Sequence, residues 1–223
     1  GYVGNELRCT TCHLDNGTRP HAAPWLGILA QFPQYRGRNA RVNTIEDRVN
    51  DCIQRSLNGK ALPEGHDAMR AIVAYMGWLS RGVPMGAEVQ GAGFLRGDPL
   101  PADTARGREV FVAECSRCHG MNGEGIRVQD SVLGAPLWGP GAYSIGAGMA
   151  RVRTAAAFIR HNMPYDRPGT LTDQQAFDVA AYVDSRPRPD FAGKEHDWPN
   201  GNEPPDVAYV TNAMRARGAA PPP

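Results

Sequence analysis

Three stretches of the chain carry apolar residues at helical spacing, each with its own start and stop signals. In the first, Ile45, Val49, Cys52, Ile53, Ser56 and Leu57 fall at offsets 0, 4, 7, 8, 11 and 12, which is one face of a helix. Thr44-Ile45-Glu46-Asp47 resembles a capping box ahead of it, and Asn58-Gly59 is a stop. The second runs from about His66 to Ser80, with Met69, Ile72, Val73, Met76 and Leu79 on one stripe. The third opens at the capping box Thr172-Asp173-Gln174-Gln175, passes through Phe177, Val179, Ala180 and Val183, and stops before Pro187. Asp103 to Glu114 reads as a further short helix.

Two of these helices are versions of each other. AIVAYMGWL (71–79) aligns with DVAAYVDSR (178–186), placing Tyr75 on Tyr182 at an offset of 107. The pattern predicts a mainly helical, internally duplicated chain. Gly86 to Ala102, with four Gly and two Pro, is the expected linker between copies. The expected division is 1–85, linker 86–102, 103–190, and a tail 191–223. With Trp198, Pro199, Pro204, Pro205 and a terminal Pro-Pro-Pro, that tail is expected to wrap loosely over the surface or to be partly mobile.

Composition narrows the class. The 223 residues hold 24 basic and 23 acidic side chains, a net +1, which gives no reason to expect a nucleic acid or an anionic membrane as partner. An apolar share of 41% with 26 Gly and 19 Pro indicates a folded but loop-rich chain. The longest uncharged run, Ser131 to Ala150, contains five Gly and two Pro, so no membrane span is expected. The sequence starts at Gly1 with no initiator Met and no signal-like segment, which reads as a processed or trimmed form.

The cysteines supply the chemistry. Four of the five form two copies of C-x-x-C-H: Cys9-Thr10-Thr11-Cys12-His13 and Cys115-Ser116-Arg117-Cys118-His119, offset by 106 residues. This is the attachment sequence of c-type haem, in which two thiols add to the porphyrin vinyl groups and the adjacent His ligates iron. Two zinc half-sites would leave both histidines unexplained, and a thioredoxin-like pair lacks its βαβ context. The expected fold is therefore mainly α and loop-rich, with two class I cytochrome c-like domains in tandem, each built around one covalent haem. Covalent haem attachment in bacteria implies the periplasm or an equivalent compartment.

The sixth ligands follow from position. Met163-Pro164 lies 44 residues after His119, just before the closing helix. Cys52, the cysteine left over, lies 39 residues after His13 and before its own closing helix, so duplication places it in the same slot. Met69, Met76, Met85, His21 and His66 compete less well, and a small core residue on an apolar stripe is the plain alternative for Cys52. On the expected helix Arg48 precedes Cys52 by one turn, and Arg55 and Ser56 follow by one. An Arg-flanked ligating Cys should be a thiolate. Arg36, Arg38, Arg41 and Arg48 crowd the approach to Cys52, with Lys60 beyond. Such guanidinium groups suit small oxyanions or, alternatively, form a solvated face offsetting haem propionates.

The segments GNELRCTTCHLDNGTRPHAAPWLG, FPQYRGRNARVNTIEDRVNDCIQRSLNGKALP and APLWGPGAYSIGAGMARVRTAAAFIRHNMP resemble the dihaem thiosulfate dehydrogenase family over all but the tail. The resemblance implies oxidative coupling of two thiosulfates to tetrathionate, His13 and Cys52 as ligands of the active haem, Arg38 and Arg48 as substrate-binding arginines, and Ser56 as the family's serine. Some members place a Lys before the Met of the second haem; here that position is Asn162, preceded by His161, so His119/Met163 is the expected pair, with His161 a weak rival. The implied electron acceptor is a small periplasmic cytochrome c or another redox protein. Two other readings remain: the dihaem subunit of a sulfur-oxidising complex that joins thiosulfate to a carrier cysteine, and a dihaem electron-transfer cytochrome without a substrate.

Overall fold

In the computed structural model, which describes residues 1–129 and 131–219, both capping boxes, Thr44 with Asp47 and Thr172 with Gln175, form with their reciprocal hydrogen bonds. The terminal Pro-Pro-Pro lies outside the described residues. In the first half the motif turn α1 (Cys9–Cys12) leads into an irregular turn, α2 (Leu14–Gly17), where Asp15 and Asn16 take left-handed φ angles of 52° and 54°. A two-stranded hairpin of β1 (Gln34–Arg36) and β2 (Arg41–Asn43) pairs Tyr35 with Val42 and feeds α3 (Ile45–Arg55). Thr44 caps α3 by accepting from Asp47 N, while Asp47 accepts from Thr44 N. The helix α4 (Asp67–Leu79) follows, with His66 at its N-cap.

The apolar stripes of α3 and α4 meet in one core. Ile45, Val49, Ile53 and Leu57 pack with Met69, Met76, Leu7 and Phe32. Cys52 and Ser56 share the α3 stripe in sequence, yet neither joins this buried set. They flank it.

The second half runs α5 (Thr104–Val110), a wider π-turn (Phe111–Cys115), the motif turn α6 (Ser116–His119), the hairpin β3 (Ile126–Val128) and β4 (Ser131–Gly134), then α7 (Val152–Asn162) and α8 (Asp173–Asp184). α5 crosses α8 at Gly107, where an added Cβ would sit 2.0 Å from the Asp178 carbonyl oxygen. Only glycine permits that approach. The buried Asp178 carboxylate beside it accepts from Asp103 N at 2.7 Å and from Arg106 Nε at 2.7 Å and Nη2 at 2.9 Å, so the charge is buried with partners. Phe111, fully buried, packs on Trp138 and Tyr182.

The connecting segments pack closely. The Gly/Pro-rich stretch 86–102 lies along the first half: Gly86 N donates to Ala30 O, and Gly91 and Gly93 accept from His21 N and Ala23 N. Tyr143, Ala147 and Ala150 of the second half enter the first core. The tail is not a loose wrap. Trp198, Val207, Tyr209 and Met214 form a buried cluster completed by α9 (Asn212–Ala216), and Trp198 N donates to Arg38 O at 2.7 Å. Proline and glycine forbid regular structure there without forbidding packing. The aromatic side chains supply the apolar area that holds it down. Among the described residues no helix is long and apolar enough to cross a membrane.

Candidate active site

Both motif histidines are held alike. His13 Nδ1 lies 2.7 Å from Ala23 O, and His119 Nδ1 lies 2.7 Å from Ala135 O. A carbonyl oxygen only accepts, so Nδ1 carries the proton in each ring and Nε2 keeps a lone pair for a metal. Cys9 and Cys12 lie on the turn α1, and Cys118 lies on α6 with Cys115 at its N-cap. A ligand-ready imidazole beside two thiols on one turn is the donor set that a covalent c-type haem requires, so both motifs fit the group.

Burial pushes the Cys12 and Cys115 thiols up to about 12, reinforced at Cys12 by the neighbouring Cys52 charge and at Cys115 by Glu114. Cys52 differs. Burial raises its pKa too, but the Arg48 charge, the neighbouring His13 and the Arg48 hydrogen bond pull it down to about 6. Arg48 Nη1 stands 2.9 Å from Cys52 Sγ, the one-turn relation expected on α3. His13 and Cys52 are thus neighbours. Met163 caps the C-terminal end of α7 and packs beside Leu14, Ala22 and Phe158. His161 instead lies against His21, ring centroids 5.3 Å apart. Of the other rivals, Met69 and Met76 lie in the core, Met85 is exposed, and His66 caps α4, its Nδ1 accepting from Ala68 N.

Cys52 opens into a cavity of about 350 Å³. Its lining includes Arg36, Arg38, Arg48, Arg55 and Ser56 from the first half. Arg41 and Lys60, expected in the crowd, are absent from it. Arg41 points outward from β2 and pairs with Asp47 at 3.1 Å, and Lys60 is exposed. Arg55 is also less available than its spacing suggested, because Asp197 takes both its Nη atoms at 2.8 and 2.7 Å. Arg38 is fixed by Gly146 O at 2.7 Å and by stacking 4.6 Å over the Trp198 ring. Burial and the nearby Arg55 charge lower its pKa to about 10.

Sequence reasoning missed the far wall. Arg151 enters from the second half, and Trp198 and Asn202 from the tail. One signal was available for Arg151: it is the first charge after the longest uncharged run and directly precedes α7. Nothing local marked Trp198 or Asn202, because their partners are more than 150 residues away.

Two ligand-ready motifs in two helical halves define a dihaem cytochrome c, and comparison with known proteins agrees. A family model described as SoxA/TsdA, cytochrome c domain, matches residues 4–85, and a cytochrome c model matches residues 104–187. Each half is a cytochrome c domain that binds one covalent c-type haem, two in the chain. Among relatives, the thiosulfate dehydrogenase of Allochromatium vinosum is 45% identical over 199 residues, covering 85% of this chain and 73% of that protein. The thiosulfate dehydrogenase of Psychrobacter arcticus is 47% identical over 207 residues, covering 92% of this chain and 63% of that one. The thiosulfate dehydrogenase (TsdBA) structure from Marichromatium purpuratum superposes with a TM-score of 0.84 at 37% identity, covering 93% of this chain and 47% of that chain. The chain belongs to the thiosulfate dehydrogenase family, and it spans under two thirds of the length of the Psychrobacter relative and under half of the Marichromatium chain.

Proposed function

We propose that this chain couples two thiosulfates oxidatively into tetrathionate. The observation that carries the reading is the Arg48–Cys52 pair at the mouth of an arginine-lined cavity. A thiolate is a sulfur nucleophile, and the surrounding guanidinium groups offset the mutual repulsion of two dianions. Cys9, Cys12 and His13 would hold the first haem with Cys52, and Cys115, Cys118, His119 and Met163 the second. When bound, each haem supplies a one-electron acceptor.

The chemistry at the chain's own atoms balances. The Cys52 thiolate and the sulfane sulfur of one thiosulfate form an S–S bond, releasing two electrons and no proton. A second thiosulfate attacks the sulfane sulfur of that adduct, tetrathionate forms, and Cys52 leaves as thiolate. Arg48 steadies the thiolate, Ser56 offers a hydroxyl to the sulfonate, and Arg38 holds an incoming anion from its fixed seat on Trp198. The chain divides into a catalytic domain 1–85, a linker 86–102, an electron-transfer domain 103–190 and the tail 191–223. The reaction belongs in the periplasm, with electrons passing from the second haem to a small cytochrome c or another redox protein.

The test is turnover of the isolated haem-loaded chain with thiosulfate and ferricyanide. Tetrathionate formed without any other protein supports the reading. A chain that needs a carrier protein's cysteine, or that accepts electrons but never consumes thiosulfate, refutes it in favour of a sulfur-oxidising subunit or an electron-transfer cytochrome.

A further inference from the structure

The cavity beside Cys52 is rich in positive charge. Five arginines line it, and the only acidic side chain among its lining residues is Asp51. Subtracting Asp51, the Cys52 thiolate and the Asp197 that neutralises Arg55 from behind leaves a net of about two positive charges around a space of about 350 Å³. At the α3 corner, Arg48 and Ser56 flank Cys52. Arg38 and Arg151, from other elements, line the same cavity and are near enough that the Arg151 charge lowers the Arg38 pKa.

Arg151 is the unexplained member. Its backbone is locked at the head of α7, the carbonyl accepting from Thr154 N and Ala155 N at 2.9 Å. Among the described residues its side chain makes no ion pair within 4 Å, and its Nε is buried without a partner, whereas Arg38 lies 3.9 Å from Asp197. The nearest carboxylate acting on it, Asp206, is engaged by Arg153 N at 2.9 Å. Burial and the charges of Arg96 and Arg36 lower the Arg151 pKa. A half-buried guanidinium with an orphaned donor, facing a second guanidinium, is a costly arrangement unless an anion sits between them.

We infer that Arg151, together with Arg38, forms a second anion subsite that receives the second thiosulfate, while the α3 corner holds the first against Cys52. This rests on the thiosulfate-coupling reading and deepens it. The subsite presents a sulfonate to the Arg38–Arg151 pair and directs the sulfane sulfur toward the Cys52 adduct. The S–S bond of tetrathionate then forms as the bond from Cys52 breaks, with no further electron needed. The site is incomplete without the second half of the chain, because Arg151 comes from there.

Thiosulfate titration of the haem-loaded protein by calorimetry, in a Cys52→Ser background that blocks the covalent step, tests the subsite. Two thiosulfates per chain are expected in Cys52→Ser and one in Cys52→Ser with Arg151→Gln, while Arg151→Lys restores the second at weaker affinity. With Cys52 intact, Arg151→Gln should raise the thiosulfate KM by about 10- to 100-fold with haem spectra unchanged. A single thiosulfate in Cys52→Ser, or two thiosulfates and an unchanged KM with Arg151→Gln, overturns the subsite. If wild-type protein turns over while Arg151→Gln behaves like it, only this inference falls. If wild-type protein consumes no thiosulfate, the functional reading falls and the subsite with it.

Discussion

Burial pushes the Cys12 thiol up to about 12, whereas the Cys52 thiol is drawn down to about 6. The difference is the company each keeps. The charges acting on Cys12 are those of Cys52 and Cys9, whereas Cys52 has Arg48 Nη1 at 2.9 Å. Removing a charge-assisted contact of this kind costs about 1.5–3 kcal/mol. Arg48→Ala and Arg38→Ala are therefore each expected to lower kcat/KM for thiosulfate by about one to two decades, read by initial rates on haem-loaded protein. Asp184 gives a pH-linked expectation of a different kind. Burial lifts its carboxyl to about 7, against the opposing pull of Arg188 and Tyr143, and its Oδ2 is buried without a partner. The folded state thus binds a proton that the unfolded state has already lost between about pH 4 and 7, so this group's contribution to stability declines as pH rises through that window. Thermal melts of Asp184→Asn should show a smaller loss of Tm between pH 5 and pH 8 than wild-type protein. An equal loss in both would remove Asp184 from the pH dependence.

The helices whose boundaries were legible are those with complete local signals. α3, α4 and α8 carry cap residues and a continuous apolar stripe, and each forms where those signals place it. The π-turn at Phe111–Cys115 was not legible, because nothing in FVAEC distinguishes it from an ordinary helical turn. Gly107 carries meaning only once α8 lies across α5. A methyl group there would overlap the Asp178 carbonyl at 2.0 Å, so Gly107→Ala is expected to destabilise the second half by about 1–3 kcal/mol. Differential melting of the haem-loaded variant checks this, and a wild-type Tm would mean that the crossing relaxes without cost.

Across the whole molecule, the site divides into a part written locally and a part written by the fold. Cys52, Arg48 and Ser56 lie on α3 and its C-cap, so helical spacing puts them side by side, while the roles of Arg48 and Ser56 toward substrate came from the resemblance. Arg38 was legible as a residue but not as a fixed one, since its seat is made by Gly146 and Trp198. Arg151, Trp198 and Asn202 reach the cavity only because the second half and the tail close over the first, and no period or motif encodes a meeting at such separations. The tail's role has a direct consequence. Ending the chain after Asp190 removes Trp198 and also Asp197, which anchors Arg55. Such a chain should still carry two haems by pyridine haemochrome assay yet lose most thiosulfate turnover. Retained turnover would reduce the tail to a surface feature.

The assignment of Cys52 as the sulfur acceptor is tested most directly by tetrathionate yield from Cys52→Gly. That variant leaves Cys9, Cys12, Cys115 and Cys118 untouched, so intact mass should still report two covalent haems. With thiosulfate and ferricyanide, wild-type protein should form one tetrathionate for every two ferricyanides reduced, and Cys52→Gly should form none. Wild-type yield from a two-haem Cys52→Gly protein would contradict the covalent route and leave Cys52 a structural residue.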